Sequence, residues 1–315
     1  MADELHQKLN KPWLVAVWPG MGHVAVNAGY YLMAKLGMHL VAEFAPRELF
    51  DLEHVDVSNG LIRQGRLPRS RFFVGRDPNW KHDIVLFIGE AQPPQGKYTF
   101  CQRLLEYAKG MAVERVFTFA SMATQMHPEH ESRVFAAATD ADSLKDLKQL
   151  ELELLNDGQI GGLNGVLLGV AADCEMSGAC LLGEIPHIFA QFPFPKAALG
   201  VLEAFTTLAG IELDFSELRE QANVVEQKLG ELLAQVEVAM KQQSLTEEEP
   251  VEESFKPVDE ERLKPADKRH VEQLFEQAQQ DRSKAYELKR ELDRLGAFAE
   301  YEDRFLDLFK PKEQS

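Results

Sequence analysis

The sequence lacks the features that mark membrane, secreted and metal-binding proteins. No apolar run approaches the roughly 18 residues that a membrane-spanning helix needs. The N-terminal stretch MADELHQKLNKP carries acids and lacks an apolar core, so it does not have the pattern of a secretory signal. Cysteine occurs only at Cys101, Cys174 and Cys180, and no two of them form a C-x-x-C pair. This sparse, odd set predicts a reducing compartment and no structural metal site. We therefore expect a cytoplasmic protein without a membrane span.

Positive charge is also scarce. The chain has 34 lysines and arginines against 51 aspartates and glutamates, which gives a formal net charge of −17. Because binding of nucleic acid requires clustered basic residues, we expect no nucleic-acid partner. Neither a Walker loop nor a nucleophile elbow is present. The polar turn that contains His127 and His130 is more typical of a solvated loop than of a metal site. We expect no cofactor and no bound metal.

What the sequence does contain, up to about residue 211, is an alternation of short apolar runs with helical patterns. Several runs are continuously apolar, as in a mostly parallel sheet that helices cover on both faces. The alternation therefore predicts a layered α/β fold. The predicted strands are 14–18, 39–44, 83–89, 115–121, 133–139, 165–171 and 178–184. The predicted helices are 24–37, 97–110, 142–155 and 195–209.

Beyond residue 211 the chain becomes charged and helical. Residues 212–243 carry apolar side chains at helical spacing. The segment SLTEEEPVEESFKPVDEERLKP (244–265) is acidic and contains prolines, which predicts an exposed linker. Helical spacing returns over 266–310, where Gly296 divides two predicted helices. The predicted organisation is an N-terminal tail (1–12), an α/β domain (13–243), an acidic linker (244–265) and a helical extension (266–315).

The first strand and turn resemble a dinucleotide-binding fingerprint. Gly20, Gly22 and Ala25 follow an apolar run, and Glu43 lies about 20 residues further on. The alternative is a strand-to-helix turn that needs glycine for its backbone conformation, which the preceding Pro19 favours. A second glycine cluster, 158–165, precedes a predicted strand. A phosphate loop needs the opposite order, strand then glycines then helix, so we interpret this cluster as a loop that enters a buried strand.

Four segments together resemble one known family. They are AVWPGMGHVAVNAGYYL, DIVLFIGEAQPP, DGQIGGLNGVLLGVA and CLLGEIPHIFAQFPFPKAALGVLEAFTTLAGIELDFSEL, and they span roughly residues 13–240. Their order is similar to that of the proteasome assembly chaperone 2-like family, which in bacteria and archaea is uncharacterised and sometimes labelled ATP-grasp. The resemblance implies a three-layer α/β/α fold with a mostly parallel mixed sheet, similar to phosphorylases and hydrolases, and frequent self-association. In that fold PGMGH is the first strand-to-helix turn.

Two features separate this sequence from functions attached to the family. The ATP-grasp label implies a lysine-bearing glycine loop and paired acidic metal ligands, and neither is found in the expected order. Some relatives that assist proteasome assembly end in a hydrophobic-tyrosine-any tripeptide that docks into the proteasome ring. This sequence ends KPKEQS, so we do not expect docking by that route.

Two functions of different classes remain. The first is a protein-interaction or assembly factor, a homo-oligomer that reaches a partner through its C-terminal helices. For this function Phe298, Phe305 and Phe309 are diagnostic, because they are core if buried and an interaction patch if exposed. The second is an enzyme or binding protein for a nucleoside-type molecule at the strand ends, for which no catalytic residue can be assigned. The candidate cleft residues are Gly20, Gly22, His23, Asn27, Glu90, Glu184 and His187.

Overall fold

A computed structural model describes residues 9–44, 46–52, 55–58, 60–77, 79–150, 152–243 and 263–310. The strands in these ranges are β1 (Trp13–Val17), β2 (His39–Phe44), β3 (Val55–Ser58), β4 (Leu61–Gln64), β5 (Ser70–Gly75), β6 (Ile84–Gly89), β7 (Arg115–Thr124), β8 (Val134–Ala138), β9 (Glu153–Leu154) and β10 (Ser177–Pro186). The helices are α1 (Val24–Lys35), α2 (Lys97–Gly110), α3 (Ala141–Leu147), α4 (Gly162–Asp173), α5 (Pro195–Ala209), α6 (Ser216–Gln243), α7 (Pro265–Gln280), α8 (Ala285–Arg294) and α9 (Phe298–Asp307).

Eight of the strands form one mixed sheet in the order β2-β5-β6-β1-β7-β10-β8-β9. The central strands β6, β1, β7 and β10 are parallel, while β5 and β2 on one flank and β8 on the other are antiparallel to their inner neighbours. The side chains of β1 alternate between two apolar cores, one on each face of the sheet, and this alternation gives three layers. Val15 and Val17 contact the core beneath α1 and α5, and Leu14 and Ala16 contact the core beneath α2 and α4. The predicted three-layer α/β fold is confirmed.

One predicted strand is wrong. The apolar run 165–171 lies inside α4, a helix that begins at Gly162. Its buried side chains Leu163, Leu167, Val170 and Ala171 recur at helical spacing on one face. A continuous apolar run of seven residues is compatible with a buried strand or a buried helix, and periodicity does not separate them. The glycines that precede it therefore lead into a helix.

Other elements differ from prediction in extent. The predicted helix 142–155 ends at Leu147, and β9 occupies its last part. The extension contains three helices rather than two, because the chain also breaks at Asp281, whose carboxylate accepts a hydrogen bond from the Ser283 amide. The strands β3, β4, β5 and β9 were not predicted. Within the described residues, no helix is both long and apolar enough to cross a bilayer.

The helices α7–α9 pack on the body of the protein. The Leu40 amide of β2 donates a hydrogen bond to the Phe309 carbonyl at 2.7 Å, so the chain after α9 is fixed to the sheet. Phe305 and Phe309 are fully buried, and the half-buried Phe298 packs its ring against Tyr30 of α1. These aromatic residues are therefore core. Most of the predicted linker (244–262), residues 1–8 of the predicted tail and the terminal residues 311–315 lie outside the described residues.

Candidate functional site

The first strand-to-helix turn is held by backbone hydrogen bonds. Gly22 has φ +63°, and its amide donates to the Ala190 carbonyl at 2.7 Å. Its own carbonyl accepts from the Phe194 amide at 2.9 Å. The Gly22 amide is therefore unavailable to a pyrophosphate. Glu43 lies at the end of β2, which β5 and β6 separate from β1, so it is not adjacent to the turn as the dinucleotide fold requires.

A cavity of about 490 Å³ opens beside this turn at the carboxyl ends of β1, β7 and β10. This edge is where α/β sheets usually bind ligands. Not one of the sixteen lining residues is ionisable, and the polar side chains are three carboxamides and one hydroxyl. The lining is Trp18, Pro19, Gly20, Met21, Ala25, Gln92, Ala120, Ser121, Met122, Ala123, Gln159, Ile160, Gly161, Gly162, Asn164 and Leu182. The cavity can donate and accept hydrogen bonds, but its lining supplies no general acid or base.

The second glycine cluster forms one wall of this cavity. Gly161 and Gly162 precede and begin α4, so the order is strand β9, glycines, helix, which reverses the predicted order. The Gln92 side-chain oxygen accepts a hydrogen bond from the Leu163 amide at 3.1 Å. This contact fixes the helix start against the loop after β6. The cluster thus shapes the cavity wall and does not enter a buried strand.

His23 and Asn27 lie where α1 meets the extension. The Asn27 Oδ1 accepts from Lys289 Nζ at 2.8 Å, and the same ammonium contacts the Asp293 carboxylate at 2.5 Å. Lys289 and Asn27 are both buried. Desolvation and the nearby Lys289 charge lower the pKa of His23, while Asp293 opposes them. Asn27 therefore anchors the extension and is not free to contact a ligand.

Glu90 belongs to an arginine network at the end of β6, in which the side chains of Glu90 and Arg71 are buried and those of Arg66 and Arg69 are partly exposed. Its carboxylate accepts hydrogen bonds from Arg71 at 2.9 Å, from Arg66 at 2.5 Å and from the Arg69 amide at 2.9 Å. Asp303 of α9 contacts the other side of Arg71 at 2.6 Å and Arg69 at 2.9 Å. Glu90 is thus a structural counter-ion that helps join β5 to α9.

Glu184 and His187 lie at the end of β10. The Glu184 carboxylate is buried and accepts from Thr124 at 2.7 Å and from Arg133 at 2.7 and 2.9 Å. His187 is exposed, with Nδ1 3.2 Å from the Thr124 carbonyl. A second cavity, of about 460 Å³, adjoins this pair and is lined by Thr124, Gln125, Met126, His130, Glu131, Arg133 and Glu184. Glu184 thus contacts Thr124 at the end of β7 and, through both carboxylate oxygens, Arg133 next to the start of β8. These contacts hold the two ends of the β7–β8 connection together.

The candidate residues therefore separate into four places. Gly20 lines the strand-end cavity and Gly22 holds its adjoining turn, whereas His23 and Asn27 meet the extension, Glu90 joins the arginine network and Glu184 and His187 lie at the end of β10. His23 and Glu90 do not line a common cavity. Sequence reasoning missed Gln92, Ser121 and Asn164, which lack a local motif and meet only in the folded chain. No group of three or more His, Cys, Asp or Glu side chains suited to a metal occurs in the described ranges.

The Glu184 pair predicts a pH-dependent contribution to stability. The hydrogen bond from Arg133 lowers the pKa of Glu184, and that from Thr124 adds to this effect against desolvation. Since the folded pKa is depressed, the contribution is present above the unfolded value of about 4.3 and is lost as pH falls through the folded value. We expect Glu184→Gln to cost about 1–3 kcal/mol at neutral pH. Urea unfolding at a series of pH values measures this difference.

The difference between Glu184→Gln and the unmodified protein should shrink as the pH falls below about 4. Glu131→Gln is the matched control, because Glu131 is a nearby but exposed carboxylate, and its replacement should change little at any pH. A Glu184→Gln deficit that stayed constant down to the folded pKa and below would contradict the assigned ionised pair.

The chain is similar in sequence and in fold to known proteins. A family model described as the PAC2 family matches residues 14–233. An uncharacterized protein of Methanocaldococcus jannaschii is 27% identical over 228 residues, which are 70% of this chain and 83% of that protein. These matches concern the α/β body, and they give no support to an ATP-grasp label.

Two solved structures share the fold. PbaB of Pyrococcus furiosus, described as an archaeal proteasome activator, is 26% identical with a TM-score of 0.60, over 74% of this chain and 96% of that one. A proteasome-assembly chaperone homologue of Mycobacterium tuberculosis is 22% identical with a TM-score of 0.61, over 70% of this chain and 94% of that one. The family match ends at residue 233, before α7–α9 begin.

Proposed function

The chain belongs to the PAC2 family, and from this premise we propose that it is a protein-interaction or assembly factor of the proteasome-assembly-chaperone type. Support for the class comes from the relatives, which include a proteasome activator and a proteasome-assembly chaperone homologue. From these descriptions we infer that the partner is a proteasome subunit. We also propose that it forms a homo-oligomer in the cytoplasm, and the net charge of −17 supports the proposal that it binds no nucleic acid.

The observation that carries the proposal is the strand-end cavity, whose lining contains no ionisable side chain. An enzyme of the hydrolase or phosphorylase type needs a positioned acid or base within reach of its substrate. Glu90 and Glu184, the two candidate carboxylates, are instead held by arginines outside this cavity. The arrangement supports binding rather than catalysis.

The extension bears on how a partner would be held. We propose that the chain consists of the α/β domain 13–243, the linker 244–265 and the helical extension 266–315, and that the extension presents only its outer surface to a partner. This division is supported by the end of the family match at residue 233. The burial of Phe305 and Phe309 on the body supports the second part, because the apolar faces of these helices already have an intramolecular partner.

Reconstitution tests the proposal. Purified full-length chain is mixed with separated proteasome core subunits, and complex formation and the rate of core-particle assembly are followed by sedimentation velocity and native gels. We expect a complex with the subunits and a faster or more complete assembly. An acidic protein of similar size and no known role in assembly controls for crowding and charge. Unchanged assembly without a complex would overturn the proposal.

A second function is favoured by one specific observation, the volume of about 490 Å³ at the strand ends. That volume is within the range of small-molecule sites, and the carboxamides of Gln92, Gln159 and Asn164 suit an uncharged ligand with hydrogen-bonding edges, such as a nucleoside. Thermal unfolding against nucleosides, nucleotides, phosphate, NAD and Mg-ATP tests this alternative. A ligand at about 100 times its Kd adds roughly 2.7 kcal/mol, which raises Tm by several degrees.

A further inference from the structure

The hairpin formed by β3 and β4 is the most exposed apolar element in the described part of the chain. It forms a two-stranded sheet of its own, and neither strand pairs with any other strand in the described residues. All four residues of β4 are exposed. Two short strands are marginal in water, and stable ones pack against another layer. The hairpin therefore has two free strand edges and an uncovered surface.

Three of the hairpin's four apolar side chains share one face, and Leu61 lies on the other. Val57 is paired with Ile62 and Val55 with Gln64, and since directly paired residues and those two apart along a strand point the same way, these four share a face. Val55, Val57 and Ile62 are 54%, 68% and 74% exposed. A cluster of large apolar side chains this exposed marks an interaction site.

The same face continues into an arginine-lined cavity at the base of the hairpin. Gln64 lines this cavity, whose volume is about 420 Å³. The other lining residues are Glu43, Arg47, Leu52, Gly65, Arg66, Leu67, Pro68 and Arg69. Arg66 and Arg69 are anchored by Glu90 and Asp303, whereas Arg47 makes no ion pair within the described ranges. Glu43 lies 3.7 Å from Arg69, so among the charged residues that line the cavity Arg47 is the one without an ion-pair partner in the described residues.

We propose that this hairpin face and its arginine-lined cavity bind an acidic, extended segment of a partner protein, which adds to the free edge of β4 as a third strand. The backbone of β4 supplies the ladder hydrogen bonds, alternate apolar side chains of the segment cover Val57 and Ile62, and its carboxylates reach Arg47. The unpaired Arg47 favours acidic over basic partners. The inference deepens the proposed assembly function by naming the surface and the chemistry of its partner.

Other occupants fit the charge less well. Of the residues that line the cavity, a second copy that used the same face would offer Arg47 only the carboxylate of Glu43, which already lies 3.7 Å from Arg69 and Arg71. Nucleic acid suits the arginines but not the net charge of −17 on the rest of the chain. Both occupants are outcomes of the experiment below.

Fluorescence anisotropy with the full-length chain measures the binding. The probe is a labelled octapeptide that alternates glutamate with valine, and the control peptide has lysine in place of every glutamate. We expect the acidic peptide to bind about tenfold or more tightly than the lysine peptide. Its affinity should fall as salt rises from about 50 mM to about 500 mM, because the arginines are partly exposed and their charges are screened.

Two variants locate the site. Val57→Thr with Ile62→Thr removes apolar surface and keeps β-branched residues, and Arg47→Gln removes a charge that no ion pair of the described residues uses. Each should weaken the acidic peptide about fivefold or more, and circular dichroism checks the fold. Phe192→Ser is the matched control: Phe192 is 50% exposed and follows β10, which β6, β1 and β7 separate from β5, and its replacement should leave binding unchanged.

Three results would overturn the inference. They are equal or no binding of both peptides, unchanged affinity in both the Val57→Thr/Ile62→Thr variant and the Arg47→Gln variant, or equally tight binding of a thymidine oligonucleotide. Self-association that the hairpin variants abolish, without peptide binding, would assign the face to a second copy instead. Peptide binding without an effect on proteasome assembly would support the peptide site and contradict the proposed assembly function. Faster assembly without peptide binding would support the assembly function and contradict the peptide site.

Discussion

Replacement of Gly165 by alanine is expected to destabilise the protein by about 3–5 kcal/mol, because the new methyl group has no space in α4. A Cβ at this position would lie 1.9 Å from the Ile160 carbonyl oxygen and 2.7 Å from its carbon. These are backbone atoms of the loop that lines the strand-end cavity, so they cannot move aside as a flexible side chain would. Urea unfolding at neutral pH measures the loss.

The same helix provides the matched control. Gly169 lies four residues after Gly165 and is exposed, and a Cβ there would meet nothing within 4 Å. Gly169→Ala should therefore stabilise the protein by about 0.5–1 kcal/mol, since alanine restricts the unfolded chain more than glycine does. If both variants changed stability in the same direction and by similar amounts, close packing of Gly165 against the loop would be refuted.

Arg71→Ala is expected to have an effect of similar size through electrostatics. The Arg71 side chain is 2% exposed and that of Glu90 is 8% exposed, so removal of the guanidinium leaves a buried carboxylate without its one buried charge partner, while the half-exposed Arg66 remains. Loss of one member of a buried ion pair costs about 3–5 kcal/mol. The variant also loses the 2.6 Å contact with Asp303 of α9. We expect a large fall in the free energy of unfolding.

Because Asp303 belongs to the extension, Arg71→Ala should also loosen α9. Limited proteolysis should cut the variant within α7–α9 faster than the unmodified chain, since weaker docking raises the open population. Arg304→Ala is the control, because Arg304 pairs with Glu272 on the exposed surface between α9 and α7, where a pair contributes about 0–1 kcal/mol. Equal losses in the two arginine variants would contradict the assignment of Arg71 as a buried anchor.

Local pattern was sufficient wherever burial follows one period. The strand prediction 39–44 matches β2, and the helix predictions 97–110 and 195–209 match α2 and α5. In each case the residues that alternate or recur in the sequence are those that face one of the two cores. The strand prediction for the continuous apolar run 165–171 was wrong, because that run has no period from which a buried face can be read.

The candidate sites depend on contacts between residues that are distant in the chain, and the sequence pattern does not predict those contacts. Asn27 and Glu90 were predicted to line a cleft, yet Asn27 contacts Lys289, and Glu90 shares the Arg71 guanidinium with Asp303. Lys289 and Asp303 lie more than 200 residues further along the chain than Asn27 and Glu90. The polar residues of the strand-end cavity come from two loops, from β7 and from α4, and they share no motif. Polar side chains must find hydrogen-bond partners when buried, but the sequence does not say which ones.

The sequence by itself determined the class of this protein: an acidic α/β chain with helices on both faces of a mostly parallel sheet, a resemblance to a chaperone family and an amphipathic helical extension. These features are local, because burial imprints its period on each segment. Only the tertiary structure decided that the extension covers α1 and β2, that the glycine cluster leads into a helix, and that the strand-end cavity is free of ionisable groups. Those properties depend on which distant segments meet, and the hydrophobic effect that brings them together is non-directional.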